Sequence, residues 1–590
     1  MLSIGKQILE LCRDNIILIL IAGAFGLLAV SPHIRAWNIV GSEEFTGVHV
    51  PFCDDEGTYQ ARIKETVEGN FGIGNPYIKE HKDDPFIMPP LAEWSIALVV
   101  FLTGQSVPFI TSVGDFVFVF VNFILLYVVF HTLTKNRFIS LLYTGIFFLF
   151  SLETFGRPIS PQFNILFLFI GLVAIMRVYF SKDMEKRRVN LLVGLIVGST
   201  AFIYPYYFTA LLAFYVILFV IRGCVEKNLT PIRQNFPWFF VSFLPLALLY
   251  THFQIKAAGD PTYSETVLRY GLIHTHIPGS FTNLLLGAMA LAVFLVLYKK
   301  LSLQNFAFGI ASIASIYALN LQNIITGKSL QFSTHYLAVT ILFVFLVLAL
   351  IHVILRSEEA KNIPRNKKYL IVMGMFCIVV FIGHKQAHQY LVIDEMPYSR
   401  SELVHEQRKM KVFDWLNQNT EVDSVVYTLG DAYDFLLPIY TNNRVFYNFY
   451  AALYPASHKE TEERWIIQNI FNPHVSTTTI EHMQREFWGN RYIDVYQSKE
   501  SRNKIMSYLK GVPHTPATMV PETQIEYMYG RYIEMKKESV YELLNRYELN
   551  YFLVSREYHA YDDAVRALED MEYVTFLTEI EGVRMYRLNR

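Results

Sequence analysis

The stretch PLAEWSIALVVFLTG (residues 90–104) decides how the whole chain is threaded. It is apolar enough for a bilayer, yet Glu93 and Trp94 stand near its start and Gly104 closes it. A helix crossing a hydrocarbon core ~30 Å thick takes about 20 apolar residues, so this run is short. An acid beside a tryptophan suits a helix lying in the interface. Around it, eleven apolar runs read as spans: 15–31, 112–131, 138–153, 161–180, 190–204, 205–222, 236–253, 280–298, 304–320, 335–355 and 368–384. If 90–104 lies flat, the basic clusters Lys6/Arg13, Lys135/Arg137, Lys182/Lys186/Arg187/Arg188, Lys227/Arg233, Lys299/Lys300 and Arg356/Lys361/Arg365/Lys367/Lys368 fall on one side. The positive-inside tendency makes that side the cytoplasm. If it crosses, every later loop flips and the richest basic loops lie outside.

The flat reading therefore sets the expected topology. Residues 32–111, the loops near 154–160, 254–279 and 321–334, and everything after 385 face away from the cytoplasm, with the N-terminus inside. The first run could instead be read as a signal peptide, with LAVS before Pro32 as a cleavage site, and this sidedness would not change. Composition agrees with a bilayer as the main solvent: 590 residues, 53% hydrophobic and 15% aromatic, with a mean hydropathy of +0.28. A formal net charge of -1 gives no global field for nucleic acid. Cys12, Cys53, Cys224 and Cys377 are scattered, without metal or redox spacing.

From about 386 the apolar runs shorten. SVVYTL (424–429), RVFYN (444–448) and NYFLVS (550–555) read as buried strands, helices are expected at 459–471, 538–547 and 561–571, and the end reads as a hairpin turning at Glu581 and Gly582. The expected fold is a polytopic α-helical membrane protein of about eleven transmembrane helices (1–385, with first loop 32–111 and interfacial helix 90–104) and a soluble extracytoplasmic α/β domain (386–590). No GxSxG, GxGxxG or zinc pattern occurs in that domain, so it is read as accessory: acceptor recognition or a lid.

The first loop carries CDDEGTYQARIKETVEGN (53–70), three acids in a row running into a helical pattern. Acids at a helix start are favoured by the macrodipole alone, by about 0.3–1 kcal/mol, so a capped surface helix is one reading. The other comes from the company the acids keep. A long outside loop after the first span, with Asp-Glu-x-x-Tyr, then NFGIGNPY, then Pro89-Pro90-Leu91 opening an interfacial helix, resembles the GT-C superfamily of polyprenyl-phosphate-dependent glycosyltransferases. Asp55, Glu56 and Tyr59 stand where aminoarabinose transferases and protein O-mannosyltransferases have their Asp-Glu and Tyr. Tyr59 with Arg62 is similar to the Tyr/Arg after the acid in oligosaccharyltransferase catalytic subunits. The chain departs from the pattern in its triple acid, Asp54-Asp55-Glu56, which leaves the register of the base open by one residue, and in having no WWDYG-like motif.

The resemblance implies a glycosyltransferase that moves a sugar from a polyprenyl-phosphate-linked donor to a glycan, lipid or protein acceptor at the outer face of the plasma (inner) membrane. Asp55 would be the general base, with Glu56 or Asp54 orienting the acceptor. A divalent cation, Mg or Mn, would be held by Asp54, Asp55 and Glu56 if one is used. Tyr59 and Arg62 would contact substrate. Cations for the departing phosphate are sought in three places. GRPISPQ offers Arg157, which reads equally as a snorkelling side chain. NIITGKSLQFSTHY offers Lys328, Gln331 and His335, with an ordinary interfacial loop as the other reading. LRYGLIHTHIPGS offers Arg269; its His274 and His276 alone do not make a metal site. YPYYF (204–208) reads as an aromatic interfacial turn. Two other classes stay open: a polysaccharide polymerase or ligase acting on lipid-linked glycans, and a transporter of lipid-linked glycans with no bond chemistry, although the spans show no internal repeat.

Overall fold

A computed structural model describes residues 15–49, 55–151, 158–180, 186–278, 280–330, 335–357, 363–386, 398–430 and 433–589. Each expected span is a helix there. Eight are long and apolar enough to cross a membrane: Ile16–Val40, Val107–Thr134, Ile159–Phe180, Pro205–Val225, Thr230–Ala258, Leu303–Thr326, Tyr336–Arg356 and Arg365–His384. The other three, Arg137–Phe150, Lys186–Thr200 and Phe281–Leu295, have 14, 15 and 15 residues. At 1.5 Å per residue each reaches roughly 21–23 Å, short of a full hydrocarbon core. Local chemistry sets the breaks. Pro205 at the first helical position separates two apolar runs that are continuous in hydropathy, and Ser106, Asn136 and Ser302 each cap a helix through a side-chain bond to a backbone N–H.

The deciding stretch forms the helix Leu91–Thr103, closed by Gly104 in the left-handed conformation at φ +66°. Its 13 residues reach about 20 Å, short of a full hydrocarbon core. Ala92, Glu93, Ile96, Ala97 and Val100 are buried, while Leu98, Val99, Phe101 and Leu102 are exposed. One face packs on the helix Glu56–Val67 and the other is exposed and apolar.

Two short strands, β1 (Leu272–His274) and β2 (Lys328–Leu330), pair antiparallel with His274 opposite Lys328. The C-terminal domain holds a five-stranded mixed sheet in the order β4-β3-β5-β7-β6. Strand β3 (Val425–Leu429) is parallel to β4 (Arg444–Val445) and β5 (Tyr551–Ser555). The strands β6 (Val574–Ile580) and β7 (Val583–Leu588) form a hairpin whose turn residues Glu581 and Gly582 both have positive φ, the twist that suits a tight hairpin. Every residue of β3 and β5 is buried, so they read as unbroken apolar runs. The helices Arg400–Asn419, His458–Gln468, Val540–Leu544 and Tyr561–Glu569 cover the sheet region, and the expected strands and helices lie within a few residues of the observed ones.

This domain is bonded to the first loop. Arg444 pairs with Glu65 and also with Asp423 at 3.0 Å. Arg464 meets Glu80 at 2.9 Å and Lys82 meets Asp423 at 2.9 Å. Gln407 holds the turn after the first span, accepting from the Thr46 and Val48 N–H groups and donating to the Val48 carbonyl at 2.7 Å. The segment 32–111 and the C-terminal domain therefore share one end of the helical module.

His81 ties the two together, with Nδ1 2.7 Å from Asp84 and Nε2 2.8 Å from Glu460. Burial alone would push its pKa down, but the two carboxylates outweigh that and hold it at about 9. A folded-state pKa raised above the ordinary 6.5 stabilises fully at lower pH and loses that contribution as pH rises through the folded value. The melting-temperature gap between wild type and His81→Phe should therefore be widest near pH 6.5 and close as pH passes about 9; a gap independent of pH would exclude the charged bridge.

Candidate active site

Asp55 is the residue immediately before the first turn of Glu56–Val67. At that position a carboxylate ordinarily accepts from an N–H of the first turn, but the Asp55 side chain makes no such capping bond. The helix is held by its buried polar side chains. Gln60 Nε2 donates to Glu56 Oε1 at 3.0 Å and to Thr111 Oγ1 at 3.0 Å, which ties the acidic end to the second long span. Arg62 Nε donates to Glu93 Oε1 at 2.7 Å, and Nη2 to the Met88 carbonyl at 3.2 Å. Tyr59 packs with Ile63, Ala92, Ile96 and Ile159.

A chain of tyrosines leads away from the acid. Burial raises the Tyr270 pKa to about 12, and its hydroxyl lies in the fields of Arg62, Asp55 and Glu93. Tyr204, which precedes the span Pro205–Val225, lies within electrostatic reach of both Tyr59 and Tyr270. Its hydroxyl bonds to His335 Nδ1. The His335 ring stacks on Tyr206 at 5.1 Å, and Tyr206 meets Tyr336 edge-on at 5.0 Å.

Tyr206 and Tyr336 also line a cleft of about 460 Å³ between three spans. Its mouth carries Gln322, Thr326 and Lys328, and its depth Ala213, Ala318 and Leu319. The strand pair that presents Lys328 is fastened by Asn323, which donates to the Thr275 and Ile277 carbonyls. The cleft is polar at the rim and apolar within.

Tyr204 thus bonds to His335 and lies within electrostatic reach of Tyr59 and Tyr270, Tyr270 lies within that of Asp55, and Lys328 shares the neighbouring cleft with Tyr206. Two expected substrate ligands are turned inward. Arg62 is fully buried with its charge matched by Glu93. Arg269 gives Nε to the Ala452 carbonyl at 2.6 Å, Nη1 to His458 at 2.9 Å, and Nη2 to Thr266 and the Tyr454 and Ala456 carbonyls, so it fastens the C-terminal domain. Burial lowers its pKa to about 10, and it stays charged near neutrality. His276 bonds to the Ile324 carbonyl at 2.9 Å. Asp54, Arg157 and Gln331 lie outside the described residues. Among the described residues no group of three or more His, Cys, Asp or Glu side chains could hold a metal ion; Asp55 and Glu56 supply two carboxylates, one already bonded to Gln60.

Among solved structures, the chain is matched to an oligosaccharyltransferase. The solved structure is that of Archaeoglobus fulgidus oligosaccharyltransferase tethered with an acceptor peptide containing the NVT sequon via a disulfide bond. The match covers 98% of this chain and 74% of that one, at 10% identity and a TM-score of 0.44. No family model matches the sequence, and no curated protein matches it.

Tyr270 was not singled out by sequence, Tyr204 entered only as part of the aromatic turn 204–208, and Glu93 only as a mark of a flat helix. An acid inside an apolar helix requires a partner, and Arg62 is that partner. Glu93→Ala should destabilise the protein by about 3–5 kcal/mol, because it strands a buried guanidinium. Replacing Arg62 by Met in the same chain should recover most of that loss, as read by thermal unfolding in detergent.

Proposed function

We propose that the protein is a membrane glycosyltransferase that moves a sugar from a polyprenyl-phosphate-linked donor to an acceptor hydroxyl at the extracytoplasmic face. The observation that carries this is the position of Asp55: at the head of a buried loop helix without a capping bond, beside tyrosines that lead to His335 and the Lys328 cleft. The cleft suits such a donor, because a phosphate would meet the Lys328 ammonium at the rim while an isoprenoid chain lies against Ala213, Ala318 and Leu319. Sidedness supports it as well. Nucleotide sugars are generally cytoplasmic, whereas a lipid-linked donor reaches the opposite face within the bilayer, and the Lys/Arg-rich loops favour the cytoplasm for the end away from Asp55.

In the transfer, the acceptor oxygen attacks the anomeric carbon as Asp55 takes its proton. The bond from that carbon to the phosphate oxygen breaks, and the electron pair leaves with the lipid phosphate. Lys328 offsets the charge that develops there, and His335, held between Tyr204 and Tyr206, orders the wall beside it. Glu56 and Asp54 orient the acceptor. Arg157 and Gln331 are assigned to the phosphate side on the same reading.

The test is Asp55→Asn in the full chain, assayed with a radiolabelled sugar on a polyprenyl phosphate. Loss of a general base should lower transfer by about 100-fold or more with the melting temperature unchanged; full activity would reject the assignment.

A further inference from the structure

A second cavity, of about 280 Å³, lies where the end of the first span and the turn after it meet the start of Val107–Thr134 and the helix Arg400–Asn419. Its outer wall is Ile34, Trp37, Val40, Phe45, Phe109 and Leu403. Ile34, Trp37 and Phe109 are 44%, 49% and 42% exposed although they sit on span ends, so the mouth opens onto surface that lipid covers. The inner wall is polar and includes His33 and His49.

Counting hydrogens assigns those imidazoles. Ser112 has one hydroxyl proton, and it goes to the Pro108 carbonyl one turn back at 2.8 Å. The Ser112 oxygen therefore accepts from His49 Nδ1 at 3.1 Å and from His33 Nδ1 at 3.4 Å. His33 also gives Nε2–H to Asp115 at 2.9 Å, and the other Asp115 oxygen accepts from Gln162 at 2.6 Å. His33 is thus paired with a buried carboxyl group. Burial and the neighbouring His33 lower the His49 pKa to about 4. His49 is therefore neutral with its one proton on Nδ1, and Nε2 is a bare acceptor. No hydrogen-bond partner for Nε2 occurs among the described residues, and a polar atom beside apolar walls is costly until a donor meets it.

We infer that this cavity binds the apolar part of a hydroxyl-bearing amphiphile drawn from the bilayer, with a head-group hydroxyl donating to His49 Nε2, and that this amphiphile is the acceptor of the transfer. The acceptor role rests on the glycosyltransferase reading above. The inner wall adjoins the acidic stretch: the His49 N–H bonds to the Tyr440 hydroxyl at 2.8 Å, and His33 and Tyr440 both lie in the field of Glu56. A soluble sugar has nothing to place against Trp37 and Phe109. An amphiphile has both halves that the cavity asks for.

The experiment uses the full chain in phosphatidylcholine nanodiscs without any sugar donor, photolabelled with decanol carrying a diazirine in its chain. Adducts should map to residues 34–40 or to Phe109. Excess decanol should suppress them about fivefold more than decyl methyl ether, which lacks the O–H donor, the difference one hydrogen bond makes. His49→Phe should lower labelling by about the same factor, while His49→Gln, which keeps an acceptor atom near the Nε2 position, should retain about half or more of it. Adducts elsewhere, or equal competition by alcohol and ether, would overturn the cavity assignment and leave transfer, tested through Asp55, standing. Intact labelling in a protein that transfers no sugar would overturn the acceptor role.

Discussion

Arg62, Arg269, Arg444 and Arg464 are all buried where the first loop meets the C-terminal domain. A guanidinium taken out of water is tolerated only when its charge and its donors are matched, and stranding one costs several kcal/mol. Arg62 is matched by Glu93, Arg444 by Glu65 and Asp423, Arg464 by Glu80 and Glu460, and Arg269 by backbone carbonyls of residues 452–456. Replacing such pairs by apolar residues would not necessarily weaken the fold. What they impose is geometry, since the loop helix cannot tilt or slide without separating at least one pair. The position of Asp55 at the head of that helix follows from the partners of Arg62 and Glu65 further along it.

The same constraint explains why the loop can hold charge beside a membrane. The helix Leu91–Thr103 lends Glu93 from its buried side to the loop helix, while Leu98, Phe101 and Leu102 are exposed on its other side. Polar atoms are turned toward protein and apolar ones toward the bilayer. The two cavities follow the same rule at the same end of the helical module. The larger runs from Lys328 down to Leu319 between spans, and the smaller runs from the exposed ring of Trp37 in to His49. Both are amphipathic slots, each with apolar side chains and polar groups on its walls.

How much of this was legible depends on how local each signal was. The positions of the apolar helices, the short helix within 90–104, the buried strands β3 and β5 and the hairpin turn at Glu581 and Gly582 came from runs of apolar residues and turn chemistry, which the chain writes over short distances. Helix lengths were less secure, because hydropathy marks where a segment is apolar and the caps at Ser106, Ser302 and Gly104 decide where it stops. At the site, the acids and Tyr59 were visible as a motif and Lys328 with His335 as a polar mouth. The roles of Arg62 and Arg269 were not, because a lone arginine looks the same whether it waits for a phosphate or closes a domain junction.

The sequence by itself determined the membrane class, the positions of the apolar helices and the acidic loop as the place to look, since hydrophobic length and charge act residue by residue along the chain. Only the tertiary structure decided which cations are already neutralised, which tyrosines stand between Asp55 and His335, and that His33, Ser112 and His49 form one hydrogen-bonded set. Those facts depend on partners such as Arg444 and Glu65, hundreds of positions apart, which meet only when packing closes the junction and water is excluded.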